Sequence, residues 1–453
     1  MAAPDHSSRN HASNDPEFQV VVFGATGFTG RLVAAHLLET YGVDGVAGTR
    51  GREGESATPP IRWALAGRNP QRLAAVRSEL GAPDSLPLIV ADAGDPASLA
   101  AMVRRTRVII TTVGPYARYG EPLVAACAEA GTDYVDLSGE PVWMARMIER
   151  YSERARASGA RIVHSCGFDS LPFDLGVRLT QEEGARRLGA PIRRVHGRVR
   201  RVRGTLSGGT IQSLMVSVDE ARADPQARRL MGNPYALTEG FRGPRQPRLR
   251  GPARDPITGE WMTPFIMSGI NVKNVHRTQA LLGHPSGEGF LYEETQCTGT
   301  GVSGRLRASA MHLLVRGLVV GVALGPTRRL LQRFVLPAPG EGPDAAAREA
   351  GFYELLFHGE TDGGGETDSA PSIQIRVAAP EDPGYLSTSR MLAESGLALA
   401  LDIDRSQTPG GIWTAGSALG LELLPRLKSR ARLEAEVLRV NPAGAGGEGR
   451  EEG

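Results

Sequence analysis

Lysine is almost missing from this sequence. Of 52 basic residues only Lys273 and Lys428 are lysines, and the other 50 are arginines. A Schiff-base mechanism therefore has almost no candidate nucleophile. Cysteine is scarce too: Cys127, Cys166 and Cys297 are odd in number and far apart. That count excludes a disulfide framework and a cysteine zinc site, and a reducing cytoplasm is the expected home. Charge of one sign is lacking, since the net charge is +2, which argues against a nucleic-acid partner. Several catalytic signatures are absent. No tyrosine has a lysine four positions on, and neither Gly-x-Ser-x-Gly nor His-Glu-x-x-His occurs. The tyrosine–lysine proton relay of short-chain reductases, the nucleophile elbow and the zincin site fall with them, and no metal is expected. The first 17 residues hold no apolar run, so they read as a disordered leader, and residues 441–453 read as a disordered tail.

What is present is ordinary in bulk and specific in pattern. With 453 residues, 41 % of them hydrophobic, the chain has room for two domains. From about 18 to 170, short apolar runs such as FQVVVFG, IRWALAGR, LPLIVAD, RVIITTVG, DYVDLSG and ARIVHSCG alternate with helical patterns. Six buried strands separated by helices predict an α/β fold with a parallel, doubly wound sheet of Rossmann type. A Gly-rich stretch between Tyr41 and Ile61 reads as a surface insertion. The rhythm changes beyond residue 171. RRVHGRVRRV, GFYELLFHGE and SIQIRVAA read as strands, predicting a largely antiparallel α+β substrate domain over 171–384. Residues 385–430 read as helices returning to the first domain, and 431–440 as a last strand.

The stretch VVFGATGFTGRL sets Gly24, Ala25, Thr26, Gly27, Phe28, Thr29 and Gly30 between a strand and a helix. Glycines let a pyrophosphate approach the backbone, and the helix start offers free N–H groups. A dinucleotide site follows. At the end of the second strand, where NAD sites carry an acid, stands Arg68. A guanidinium suits a ribose 2′-phosphate, which points to NADP(H). The competing role for Arg68 is a solvated residue at the next helix start. Asp92 ends the third strand and is placed for the adenine amine. Val113, Gly114 and Pro115 end the fourth and form a turn over the nicotinamide. Tyr116 and Tyr119 follow as candidate proton donors, with plain packing as their alternative. Asp136, Ser138, Glu140, Asp169 and Ser170 end later strands and are candidates for substrate contact, with helix capping as the other reading.

Residues 308–336 are rich in Leu, Val and Gly, with Arg316 inside and Arg328, Arg329 and Arg333 after it. They fit either a buried helix followed by an amphipathic one or a contact with a membrane or lipid droplet.

GATGFTGRL, ALAGR, GPYARYGEP, YVDLSGE and GFDSLPFDLG together resemble the saccharopine dehydrogenase-like oxidoreductases. The branch they resemble most is the trans-acting enoyl reductases of actinobacteria. SGGTIQS, FIMSGINVKNVHRTQALL and DPGYLSTSRMLAESGLALA extend the likeness, from about Phe18 to Leu427. The resemblance implies a Rossmann domain, NADP(H) held by Gly24, Gly27, Gly30 and Arg68, and reduction of a C=C bond in an acyl chain. That chain would be carried by a polyketide synthase and would enter a glycolipid. A eukaryotic branch of the likeness implies lipid droplets. Two other readings stay open: a dehydrogenase of amino-acid conjugates, and a non-catalytic NADP(H)-binding regulator or lipid-surface protein. Oligomeric state is left open.

Overall fold

The computed structural model describes residues 16–43, 48, 60–204, 207–323, 342–362 and 370–442. The leader up to residue 15, most of the Gly-rich insertion, residues 324–336 of the apolar segment and the tail from 443 lie outside them.

Seven strands form the first sheet. Six come early: β1 (Phe18–Phe23), β2 (Trp63–Gly67), β3 (Leu88–Val90), β4 (Thr106–Thr111), β5 (Asp133–Val135) and β6 (Arg161–His164). All pairings are parallel, and the order is β3-β2-β1-β4-β5-β6 with one further strand beside β6. The strands are short and apolar because helices cover both faces; β2 is buried along its whole length. The connecting helices start on local signals. Asn69 Oδ1 accepts Arg72 N–H ahead of Pro70, and Asp95 Oδ1 accepts Ala97 N–H ahead of Pro96. The order reverses between β1 and β4, which opens a crevice at the carboxyl edge.

The second sheet runs β14-β12-β11-β7-β10-β9-β8. Its strands are β7 (Ile192–Arg203), β8 (Ala253–Arg254), β9 (Trp261–Pro264), β10 (Leu291–Gly299), β11 (Phe352–Thr361), β12 (Ser372–Ala379) and β14 (Glu434–Asn441). Only β7 and β10 pair in parallel, so the sheet is largely antiparallel. Alternation explains it: Tyr353, Leu355 and Phe357 are buried, facing the helix Leu171–Leu188.

The remaining strand, β13 (Gly411–Thr414), corrects the reading of 385–430 as helices alone. It pairs in parallel with β6 and becomes the seventh strand of the first sheet. Four residues carry too little periodicity to announce a strand. The helix Thr388–Leu401 packs on β1, β4 and β5. It is fastened by Glu394, fully buried, which accepts hydrogen bonds from His36 Nε2 (2.6 Å), Tyr41 OH (2.7 Å) and Arg426 Nη1 (3.0 Å).

The apolar segment begins earlier than its sequence suggests, in the helix Gly301–Ala323. Leu318 and Val322 pack against Ile211 and Met215 of the helix Gly208–Ala223. Leu306, Leu313 and Leu314 face outward, at 65–72 % exposure. Among the described residues no helix is long and apolar enough to cross a membrane.

Candidate functional site

The turn after β1 is built for close approach. Gly24 adopts φ +90°, and a Cβ there would sit 2.8 Å from both Thr112 Oγ1 and Val113 Cγ2. A Cβ on Gly30 would meet the Gly24 carbonyl oxygen at 2.2 Å, so the helix lies directly on the turn. Ala25 is buried, and the Thr26 carbonyl accepts Arg31. Gly27 begins the helix Phe28–Tyr41 without any side-chain cap. The first N–H groups of that helix therefore await an external acceptor. Gly27, Phe28 and Thr29 open onto a cavity of about 400 Å³ that runs between the two sheets. The Phe28 ring crosses to Tyr385 (4.8 Å between centroids), whose hydroxyl accepts Gly208 N–H.

Arg68 stands exposed at the tip of β2. The cap of the next helix is Asn69, and Arg68 has no hydrogen-bond or ion-pair partner among the described residues. An uncommitted guanidinium one strand from an uncapped helix start fits a phosphorylated dinucleotide. Asp92, at the neighbouring tip, is exposed and uses Oδ1 to close its own turn on Gly94 N–H (2.9 Å). Both lie on the carboxyl edge but outside the cavity wall. Val113 packs beneath Gly24, while Gly114 and Pro115, joined by a cis peptide, line the cavity.

The two tyrosines part company. Tyr116 lines the cavity, but its hydroxyl donates to Thr111 O (3.3 Å) and accepts Leu137 N–H (3.0 Å). Burial, with Asp136 nearby, holds its pKa well above the usual phenol range. Tyr119 is 47 % exposed and off the cavity wall. Neither places a free hydroxyl in the cavity.

The acids at later strand ends act as fasteners. Asp136 sits under the floor and accepts Ser138 N–H, Ser165 N–H, Tyr134 OH and the His164 ring. Glu140 accepts Tyr116 N–H (2.9 Å), Ala117 N–H (2.8 Å) and Ser213 Oγ–H (2.7 Å). Asp169 accepts Thr210 Oγ–H (3.0 Å). Burial pushes both carboxyls up. Thr210 and Ser213 belong to the helix Gly208–Ala223, so these acids pin the roof of the cavity to the sheet edge. Ser138, Asp169 and Ser170 line the cavity; Glu140 does not. Ser170 and Asp174 do not cap their helix. Ser170 Oγ–H donates to Asn271 Oδ1 (2.9 Å), and Asp174 accepts Thr278 Oγ–H and Gly416 N–H.

Sequence reasoning missed Lys273. It lies in the cavity wall on the helix Ser268–Leu281 and is 4 % exposed. Burial, with Arg248 of like charge nearby, lowers its pKa to about 8. A single lysine on a helix gives no signal in a sequence; its rarity in this chain was the one available hint. The same cavity wall carries the apolar side chains of Ile211, Leu214, Met231, Ile266, Ile270 and Leu318.

The cavity thus joins the glycine turn after β1, the strand-end residues Gly114 and Pro115, and an apolar sector. Residues 20–163 match the profile of the saccharopine dehydrogenase NADP binding domain. A provisionally named trans-acting enoyl reductase of Mycobacterium tuberculosis is 42 % identical over 427 residues, 91 % of this chain and 95 % of that protein. A trans-acting enoyl reductase of Mycobacterium ulcerans is 38 % identical over 92 % of this chain and 97 % of its own length. Among solved structures, saccharopine dehydrogenase (L-Glu forming) from Saccharomyces cerevisiae shares the fold. Its TM-score is 0.50 at 11 % identity, covering 93 % of this chain and all of that one. The helix start and Arg68, both without a partner among the described residues, and the glycine packing fit the coenzyme that this domain type binds. The chain is an NADP-dependent oxidoreductase with a saccharopine dehydrogenase-type nucleotide domain, and it belongs to the family of the trans-acting enoyl reductases.

Proposed function

We propose that the protein reduces the C=C bond of a lipid or polyketide acyl thioester made by a separate synthase. The observation that carries this reading is the joining, in one cavity, of the turn at Gly27–Thr29 with the apolar sector around Ile211, Ile270 and Leu318. Bound NADPH supplies the hydride. The backbone at Gly24, Gly27 and Gly30 holds its pyrophosphate, with Ala25, Thr26, Phe28 and Thr29 shaping that turn. Arg68 holds the 2′-phosphate and Asp92 the adenine. Val113, Gly114 and Pro115 carry the nicotinamide edge. Tyr116 keeps the floor rigid, and Ser138 and Ser170 face the acyl head. Asp169 and Glu140 hold the roof helix over the chain and exclude water, which strengthens every charge interaction beneath it. Functionally the chain divides near residue 170, with the nucleotide on one side and the acyl group on the other.

Purified protein, NADPH and 2-enoyl thioesters of increasing length test the reading by nicotinamide absorbance. Thioester-dependent oxidation that improves with acyl length is expected. Its absence at every length would overturn the assignment.

A second reading concerns delivery. The helix Gly301–Ala323 shows solvent Leu306, Leu313, Leu314 and Val320, and contains Arg305, Arg307 and Arg316 but no acidic residue. That combination suits an anionic lipid surface. Flotation with phosphatidylglycerol vesicles tests it; equal recovery with neutral vesicles or none rules it out.

A further inference from the structure

Among the described residues Lys273 is a buried cation without an anion. Its Nζ donates to the carbonyls of Met231 (2.9 Å) and Gly269 (2.6 Å). An ammonium has three N–H donors, so one remains, in a side chain that lines the cavity. Among the described residues no carboxylate lies within ion-pair distance of it. The charged neighbour acting on it is Arg248, of the same sign. The other titratable groups of the wall are Asp169, Tyr116 and Tyr385. Asp169 is committed to Thr210, Tyr116 to Thr111 and Leu137, and Tyr385 to Gly208. Two residues earlier on the same helix, Asn271 joins Ser170 at the sheet edge. Ser170 and Lys273 both line the cavity. Burying an ammonium with no counter-charge is costly. A ligand that brings or develops negative charge beside it removes that cost.

We propose that Lys273 is the oxyanion-binding residue of this cavity, its remaining N–H holding the carbonyl oxygen of the acyl thioester. The proposal rests on the reading of the site as an enoyl thioester reductase. In the reaction a hydride forms the new C–H bond at the β-carbon. The C=C electron pair moves to the bond between the α-carbon and the carbonyl carbon, and the C=O pair moves onto oxygen. Lys273 stabilises that enolate without being consumed. A proton from water then reaches the α-carbon and the carbonyl re-forms. Only the ammonium form can do this, so the pKa of about 8 sets an alkaline limit.

Two measurements on the full chain test this. In the first, decanoate and decanol are titrated by calorimetry into wild type, Lys273→Met and Lys273→Arg. Decanoate carries a fixed charge where the enolate develops one, and decanol reports the apolar sector alone. We expect Lys273→Met to weaken decanoate by at least about tenfold, Lys273→Arg to keep most of the affinity, and decanol to bind all three alike. Equal decanoate affinity in wild type and Lys273→Met would overturn the proposal, as would a wild type that takes decanol but no decanoate, or neither. In the second, the pH profile of enoyl thioester reduction should fall above about pH 8 in wild type and stay level there in Lys273→Arg. An unchanged alkaline limb in Lys273→Arg would overturn the catalytic role. Lys273-dependent decanoate binding without any NADPH oxidation would support the anion site while removing the reduction assigned to it.

Discussion

Arg68 and the three glycines of the first turn show what single residues decide here. Arg68 has no partner among the described residues, so replacing it should leave stability unchanged. Arg68→Ala should weaken NADPH by about 30-fold, the loss of about 2 kcal/mol of charge-assisted hydrogen bonding, and leave NADH binding unaltered; fluorescence titration with both coenzymes checks the split. The glycines separate differently. In Gly30→Ala the new Cβ would lie 2.2 Å from the Gly24 carbonyl oxygen, so that variant should lose both Tm and coenzyme. In Gly27→Ala the tightest contact is 3.3 Å, to the same oxygen. That protein should fold with a near-native Tm, yet bind NADPH more weakly because the methyl stands on the path to the helix N–H groups. Thermal melts with and without NADPH distinguish the two. The glycine turn itself was legible beforehand, because a turn between strand and helix is a local event and its residues are contiguous. Lys273 was not legible. A lysine on a helix normally faces water, and only the tertiary arrangement buries this one.

Between elements, buried acids do the joining. Glu394 ties the helix Thr388–Leu401 to the first helix through His36 and Tyr41, and to the helix Leu423–Ala431 through Arg426. Its pKa is held low against the push of burial by hydrogen bonds and charge from His36, with the Arg426 charge adding to them. Glu394→Ala strands those donors and should cost about 3–5 kcal/mol, read as a lower urea midpoint. Glu140 and Asp169 do the same for the roof helix. Their positions at strand ends were readable, but their work was not. The partners Ser213 and Thr210 lie 73 and 41 residues away in sequence, and no local pattern links such pairs. The strand Gly411–Thr414 was hidden for a related reason: it meets its partner β6, formed much earlier in the chain, only after the chain has passed through six strands of the second sheet.

Across the whole molecule, the alternation of short apolar strands with helices made the nucleotide half readable, and period-two patterns marked much of the second sheet. Folding also leaves a carboxyl inside that second half. Glu294 is 5 % exposed and accepts Tyr292 OH (2.6 Å) and Asn271 Nδ2–H (2.9 Å). Burial raises its pKa from 4.5 to about 8. Between those values the unfolded chain has released a proton that the folded chain retains. Rising pH therefore favours unfolding across that window, by up to about 1.4 kcal/mol per pH unit, and the loss is complete above about 8. Glu294→Gln carries no charge at any pH, so melting points of wild type and variant should diverge steadily from pH 5 to 8.

Phe28 opens the helix that follows the glycine turn, yet its ring rests on Tyr385, and Tyr385 holds the first N–H of the roof helix. A nucleotide held at the turn would thereby steady the ceiling of the cleft through this pair. Turnover should consequently be ordered, with nucleotide entering before the fatty chain and departing after it, and NADP⁺ should inhibit competitively against NADPH alone.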